Sequence, residues 1–441
     1  MNFVTGPTRL TIVYYVLALL LVTTAATAEP FVQSSVTSTT LDNGLKVIVL
    51  EDHSAELVAL EVWVKAGNVY ETKSNNGVAH FIEHLLFKGT ARRSEGQADR
   101  EIESLGASLD ASTTRDAIRI DTVLASKYFD VALDVMTDVT MRAKLDQQSV
   151  DRERPIILDE ISRRDADPFQ TLAGLVAKAS FQSHPYGWPL EGSTANVTAM
   201  TAEQIRAFYD TYFVPNNMAV IVVGDVNAAK AIESVKKAFG EFKKKDVPPL
   251  QNPVEPPLTA IRKESARRAT KITYSALSFP SPGIKDAADV YAMDVLVQYL
   301  SNGYLSWMTT LKSPKAEVLA VSGDFLTRRD PGNVMLMFGV DAVGVEDVRQ
   351  AILAKLKQLK ETPLPAADVA AAKRSIEGSY AFETETVSGR ANIMGFYESL
   401  GDYKLALTYI DNIRKVTPEQ AMQTAAKYFN TDAYVIAEVG P

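Results

Sequence analysis

The chain has 441 residues, 46% hydrophobic and 23% charged, which is typical of a globular protein with more than one domain. Its net charge of −8 argues against a nucleic-acid partner, because phosphate binding needs a basic face. No cysteine is present, so disulfides, thiolate nucleophiles and cysteine metal ligands are excluded. Any metal must therefore be bound by histidine and carboxylate groups.

The first residues have the pattern of a secretory signal peptide. Arg9 precedes an apolar run over residues 10–22, and small residues follow up to Ala28. The run is shorter than the ~20 residues that span a bilayer. We predict a signal peptide over residues 1–28, cleavage after Ala28 and export to the periplasm. An uncleaved membrane anchor is the alternative.

Next along the chain is a group of strands followed by a helix. Two strands around an Asn-Gly turn are predicted over residues 39–50, and an alternating pattern predicts a third strand over residues 57–65. A loop rich in Gly and Asn leads into an apolar helix that starts near Gly77.

This apolar helix carries two of the four histidines of the chain. His80 and His84 lie one turn apart on the same helix face, so they provide half of a tetrahedral zinc site. Glu83 is placed to take a proton from a water molecule at that site. The order His-x-x-Glu-His is the inverted zinc-protease signature. The alternative is a buried helix whose histidines only bond to backbone groups.

A second helix of interest is predicted over residues 149–163, after helices at 97–105 and 127–143 and strands at 107–113 and 117–123. Ser149 is the predicted N-cap. Glu153 and Glu160 are two turns apart and share a face, and the apolar residues around them indicate burial. A buried carboxylate needs a partner, and a metal ion would supply one. Solvated charges on an Arg-rich helix are the alternative.

The rest of the chain repeats elements of the first part. The helix at 201–212 and the strand at 220–225 match the segment from Thr417 to Gly440 without a gap. A Lys- and Pro-rich linker at 244–258 lies between the copies. Further elements of the second part are predicted as strands at 270–279, 317–325 and 333–340 and as helices at 286–300, 345–359 and 366–400.

This pattern predicts an α+β protein made of two duplicated domains. The N-terminal, metal-binding domain is expected at residues 31–243 and the homologous C-terminal domain at residues 259–441. The histidine helix is expected to have no counterpart in the second domain.

At this point the sequence resembles the pitrilysin/insulinase family of zinc peptidases, in particular its short bacterial members and the mitochondrial processing peptidase subunits. The resemblance rests on four blocks, at residues 79–90, 153–161, 184–187 and 215–217. It implies α/β-sandwich domains, each with an antiparallel-rich sheet covered by helices, and a chain that forms half of a clamshell peptidase.

The resemblance also implies roles for particular residues. His80, His84 and Glu160 would bind one Zn²⁺ per chain, and Glu83 would be the general base. Glu153 would orient a ligand histidine, as such outer partners do.

Two further elements of the family, both concerned with substrate, are matched in the chain. The substrate-binding edge strand corresponds to Ser108, Leu109, Asp110 and Ala111, to which a peptide could add as an extra strand. Asp110 stands where the family usually has asparagine. The arginine–tyrosine pair that grips substrate from the C-terminal partner domain is matched at the end of the helical region 366–400, by Arg390 and Tyr397.

The expected activity is zinc-dependent endopeptidase or oligopeptidase cleavage of peptides or unfolded segments. Two domains per chain imply a homodimer, or a heterodimer with a homologous subunit. The alternative is a non-catalytic or partner-dependent subunit of a heterodimeric peptidase complex.

Overall fold

The computed structural model describes residues 36–303 and 306–441 and has an α+β architecture with two sheets. The predicted signal peptide lies outside the described residues. The elements of the first half are β1 Val36–Thr40, β2 Lys46–Glu51, β3 Leu57–Val64, α1 Val78–Leu85, α2 Gln97–Glu103, β4 Asp110–Thr113, β5 Ile118–Ala125, α3 Phe129–Met141, α4 Gln147–Ala166, α5 Pro168–Ser180, α6 Thr194–Ala199, α7 Ala202–Tyr212, β6 Met218–Gly224 and α8 Ala228–Phe239.

The second half begins with a strand that the sequence analysis missed, β7. Its elements are β7 Arg262–Arg267, β8 Ile272–Pro280, α9 Ala287–Ser301, β9 Val318–Phe325, β10 Asn333–Asp341, α10 Val345–Glu361, α11 Ala366–Glu383, α12 Val387–Leu400, α13 Lys404–Lys415, α14 Pro418–Tyr428 and β11 Val435–Gly440. In the described part of the chain no helix is long and apolar enough to span a membrane.

The two sheets have the same topology apart from one added edge strand. The first is ordered β1-β2-β6-β3-β5-β4 and the second β7-β11-β8-β10-β9. In each sheet one pair is parallel (β2 with β6, β7 with β11) and the matching neighbours are antiparallel. The closing helices begin with identical capping boxes, Thr201 with Gln204 and Thr417 with Gln420. These matches confirm the predicted duplication of an α+β unit.

The topology corrects the expectation that the histidine helix has no counterpart. α1 and α9 each follow the second matched strand of their half in chain order, α1 after β3 and α9 after β8. α1 packs against β4, α4 and α7, and α9 packs in the same way against β9, α11 and α14. The second half therefore keeps the helix, but α9 carries neither the histidines nor a glutamate.

Each half contributes a helix to the sheet of the other half. α5 packs against β7, β8 and β11 of the second sheet, whereas α12 packs against β3 and β6 of the first. Successive residues of β3 point to opposite faces of the first sheet and pack in two different clusters. Val62 belongs to the core that contains α1, and Trp63 packs in the cluster that contains Met394 of α12. α12 thus covers the face of the first sheet opposite to α1.

Three local predictions were wrong at element ends. The N-cap of α4 is Asp146, which accepts a hydrogen bond from the Ser149 N–H at 2.8 Å, and Ser149 lies inside the helix. The predicted helix 366–400 is divided into α11 and α12, because Thr386 caps a new helix through the Gly389 N–H. The predicted strand 107–113 is paired only from Asp110 onward.

The predicted linker has no helix or strand, yet the chain around it is fixed by hydrogen bonds. The Glu255 carboxylate accepts from the backbone N–H groups of Gln182, Ser183 and His184 at 2.8–3.1 Å. The linker therefore lies against the loop at 182–187, and the division into domains at 244–258 stays a prediction.

Candidate metal centre and active site

The histidine helix begins at a tightly packed glycine. Gly77 has φ +99°, and a Cβ there would lie 2.8 Å from the Cα of Gly192. The carboxylate of Glu71 binds the first turn, accepting hydrogen bonds from the N–H groups of Gly77 and Ala79 at 3.0 Å each. A buried anion at a helix N-terminus satisfies free N–H groups and the positive end of the helix dipole. These contacts fix the helix that carries the histidines.

The imidazoles of His80 and His84 converge on one carboxylate of α4. The Nε2 atoms of His80 and His84 lie 3.7 and 3.4 Å from Oε2 of Glu160. The ligand atoms of these three residues are all within 4.8 Å of one another. No other group of three metal-ligating side chains occurs in residues 36–303 and 306–441.

Glu153 lies two helical turns before Glu160 and contacts His84. Its Oε2 is 3.2 Å from Nδ1 of His84, and its Oε1 is 2.9 Å from Nζ of Lys88. A carboxylate can only accept a hydrogen bond, so Nδ1 of His84 carries the proton and Nε2 keeps its lone pair for a metal. The shared face of Glu153 and Glu160 that the sequence predicted is thus directed at the histidines.

The electrostatics of the cluster suit a divalent cation. Burial, with a smaller effect of His84, lowers the pKa of His80 to about 4, so this imidazole is neutral at pH 7, as a metal ligand must be. Nδ1 of His80 is buried and has no hydrogen-bond partner. Two neutral imidazoles and one carboxylate are a donor set that zinc binds with one position open to substrate. The residues therefore fit zinc.

Glu83 points from the same helix toward strand β4. Burial raises the pKa of Glu83 above its usual 4.5, and its contact with Thr113 of β4 opposes this shift. A carboxylate with a raised pKa is a better proton acceptor than an ordinary surface glutamate. The side chain lies between the histidine cluster and the edge of the sheet.

The predicted substrate strand is at that edge. β4 hydrogen-bonds only β5 among the described strands, so its outer side is free. Ala111 lies within β4, whereas Ser108 and Leu109 precede it. Asp110 begins the strand, and its carboxylate accepts a hydrogen bond from the Ser108 hydroxyl at 2.7 Å.

Arg390 and Tyr397 lie away from the histidine cluster of their own chain. Both are on α12, on the opposite face of the first sheet. Arg390 pairs with Asp52, and Tyr397 is packed against Tyr409 with 6.3 Å between ring centroids. Burial raises the pKa of Tyr397 well above 10. Within one chain the pair and the histidines do not form a single site.

Sequence reasoning missed Glu71, Lys88 and Asp52. An acidic residue shortly before a helix and a lysine one turn after a histidine are weak signals, because such spacings are common on protein surfaces. The partner of Arg390 could not be found at all, since Asp52 lies 338 positions away along the chain.

Two known protein families match the sequence of the chain. The family described as Insulinase (Peptidase family M16) matches residues 46–194, which contain the histidine helix and α4. The family described as Peptidase M16 inactive domain matches residues 199–376. The chain belongs to the insulinase family, the pitrilysin-type zinc peptidases that its sequence motif resembles.

Several relatives align over nearly the whole chain. The uncharacterized zinc protease YmxG of Bacillus subtilis is 22% identical over 91% of this chain and 97% of its own length. The zinc protease PqqE of Helicobacter pylori is 26% identical over 89% and 90%. A probable mitochondrial-processing peptidase subunit beta of Arabidopsis thaliana is 33% identical, but over 46% of this chain and 38% of its own.

Solved structures share the fold. The crystal structure of a protease from Helicobacter pylori superposes with a TM-score of 0.86 at 24% identity, covering 92% of this chain and 99% of that one. A peptidase M16 inactive domain from Pseudomonas fluorescens gives 0.81 at 20% identity, covering 92% and 98%. The two-domain α+β fold is thus that of M16 peptidases.

Proposed function

We propose that this protein is a zinc-dependent endopeptidase or oligopeptidase that cleaves peptides or unfolded segments. The observation that carries the proposal is the convergence of His80, His84 and Glu160 within 4.8 Å beside the free edge of β4. The relatives named as zinc proteases support the same class of activity.

The contacts of the residues support a role for each of them. His80, His84 and Glu160 hold one zinc ion, and Glu153 fixes the orientation of His84. When bound, zinc polarises the scissile carbonyl and makes the attacking water more acidic. Glu83 accepts a proton from that water and delivers it to the leaving amine.

The substrate binds as an added strand on β4. Backbone hydrogen bonds to the outer edge of β4 would hold an extended peptide in register, independently of most of its side chains. Thr113, at the far end of β4, touches Glu83, so the scissile bond of such a peptide comes close to the base. A segment whose backbone is already hydrogen-bonded within a folded protein could not pair with β4 in this way. This mode of binding therefore favours flexible substrates.

We further propose that the working unit is a dimer, either of this chain or with a homologous subunit. Arg390 and Tyr397 can contribute to catalysis only in the site of another chain, because α12 and α1 cover opposite faces of one sheet. The relatives include a mitochondrial-processing peptidase subunit. The signal-peptide pattern of residues 1–28 supports a periplasmic location. Sedimentation of the purified protein and fractionation of cells test these two proposals.

The main test is the substitution Glu83→Gln in the full chain. Removing the base should lower kcat/KM for a flexible peptide by at least about 10²-fold while the zinc content is unchanged. Glu103→Gln, on the exposed side of α2, is the matched control and should behave as the parent. A chelator should abolish cleavage by the parent, and added zinc should restore it.

Two results would contradict the proposal at different levels. If Glu83→Gln cleaves as fast as the parent, Glu83 is not the base. If the purified parent protein binds no zinc, the assignment of the whole site fails.

A further inference from the structure

We infer that the second half of the chain contains a binding site for an organic cation, a primary ammonium or a guanidinium group, centred on Asp294. The inference does not depend on the proposed peptidase activity. It rests on a cavity of about 390 Å³. The residues that matter in its wall are Asp294, Phe325, Tyr380, Phe396, Tyr397 and Tyr409.

The cavity occupies the position that the metal centre has in the first half. Asp294 lies on α9, the counterpart of α1, and Tyr380 lies on α11, which packs on α9 as α4 packs on α1. Phe325 ends β9, the counterpart of the edge strand β4. The fold therefore opens a space between the same helices in both halves, and the second half lines it differently.

The carboxylate of Asp294 has no counter-charge. It accepts one hydrogen bond, from the Tyr409 hydroxyl at 2.9 Å. Among the described residues lining the cavity and the adjoining one, the other charged group is the acidic Glu383, and none is basic. Burial raises the pKa of Asp294 to about 7. A partly buried carboxyl group with no counter-charge gains from a ligand cation that it can pair with.

Beside the carboxyl group of Asp294, the aromatic rings of the cavity are the other component of a cation site. The rings of Tyr380 and Tyr409 lie 5.2 Å apart, and those of Tyr397 and Phe396 are 5.3 Å apart. Aromatic faces attract ammonium and guanidinium groups, and several rings around one carboxylate are typical of sites for such cations. A metal ion is a poorer candidate, since Asp294 is not part of any three-residue ligand cluster in the described chain.

Binding can be measured by titration calorimetry with three probes of matched shape. Butylguanidinium and butylammonium carry the charge, and butylurea is the neutral counterpart of the first. We expect both cations to bind and butylurea to bind at least about tenfold more weakly, because a charge-assisted hydrogen bond is lost. Equal binding of butylurea, or no binding of either cation, would overturn the inference.

Substitutions locate the site. Asp294→Asn should weaken binding of butylguanidinium at least about tenfold, and Asp432→Asn, an exposed residue of the same half, should leave it unchanged. Glu383→Gln, at the exposed rim of the cavity, should give a smaller loss and does not disturb the interior. Unchanged affinity in both site variants would show that the cations bind elsewhere.

The cation could come from a free amine or from a peptide. An acetylated tetrapeptide with one arginine and its citrulline counterpart, titrated into the Glu83→Gln variant, distinguish these sources. Competition of the arginine peptide with butylguanidinium would assign the site to peptide side chains. Binding of the small cations alone would assign it to free amines, and either result supports the cation site.

Discussion

The two halves of the chain place a helix at the same point of the same sheet and surround it with different charges. In the first half, Glu153 of α4 contacts His84 of α1 and is paired with the cationic Lys88. On α9, Asp294 accepts a hydrogen bond from the hydroxyl of Tyr409. One duplicated framework thus holds a candidate metal centre in one copy and a carboxyl group without a counter-charge in the other. The difference shows that side chains, and not the fold, decide the chemistry of each copy.

The largest predicted effect tests whether the halves of different chains cooperate. Tyr397→Phe alone should lose about 10²-fold in kcat/KM if the hydroxyl stabilises the transition state. His80→Ala should be inactive through loss of zinc. Mixed after co-expression, the two variants should recover activity, because the intact metal centre of one chain meets the intact Tyr397 of the other. Peptide cleavage by the purified mixture is the measurement, and no recovery would place both groups in one chain or leave Tyr397 without a catalytic role.

The next prediction concerns the paired carboxylate of the first half. Glu153→Gln keeps the shape but removes the charge that holds Nδ1–H of His84, so zinc affinity should fall about 10–100-fold. Competition with a chromophoric chelator gives the Kd. Asp159→Asn, on the same helix with an exposed side chain, is the control. Equal Kd values for Glu153→Gln and the parent would mean that His84 is held by packing alone.

The last prediction concerns stability instead of activity, at the carboxyl group of the second half that has no counter-charge. The pKa of Asp294 is raised from 3.8 to about 7, so between pH 4 and 7 the folded state holds a proton that the unfolded chain has lost. The free energy of unfolding should therefore decrease as pH rises through this window, by up to ~1.4 kcal/mol per pH unit from this group, and level off above pH 7. Asp294→Asn should remove this part of the slope.

Urea unfolding of the parent and Asp294→Asn at several pH values measures this difference. The tyrosines that face Asp294 have raised pKa values and titrate above the window; they are Tyr291, Tyr380, Tyr397 and Tyr409. Glu383, at the exposed rim, is the other acid that lines the cavity, and Glu383→Gln is measured beside Asp294→Asn as the control for removing a nearby charge. Parallel curves for the parent and Asp294→Asn would show that the carboxyl group is ionised when folded.

Local patterns were enough to predict much of the fold and the core of the site. The i, i+4 histidines and the i, i+7 glutamates each lie on one face of a helix, so their sequence spacing already determined their direction. The repeated segments beginning at Thr201 and Thr417 predicted the duplication correctly. Tertiary packing brings α1 and α4 together, and the spacing of residues along the sequence does not predict this contact.

Most of the missed features depend on contacts between distant segments, and Glu71 is the local exception. Glu71 binds a helix terminus through backbone N–H groups, which any sequence offers. In the sequence, α1 was identified by its histidines, and α9 has none. The match between α1 and α9 is therefore visible only in the topology. The cavity at Asp294 likewise requires α9, α11 and β9 to be placed together before an ordinary aspartate becomes unusual.

The crossing of α5 and α12 between the halves has a consequence for how the protein folds. Each half has a core of its own on one face of its sheet, whereas the other face is covered by a helix that the other half supplies. A protease cut in the linker would break the chain without releasing two independent parts, and truncated versions would expose broad apolar faces. The two copies of the duplicated unit are therefore expected to fold together and to unfold together.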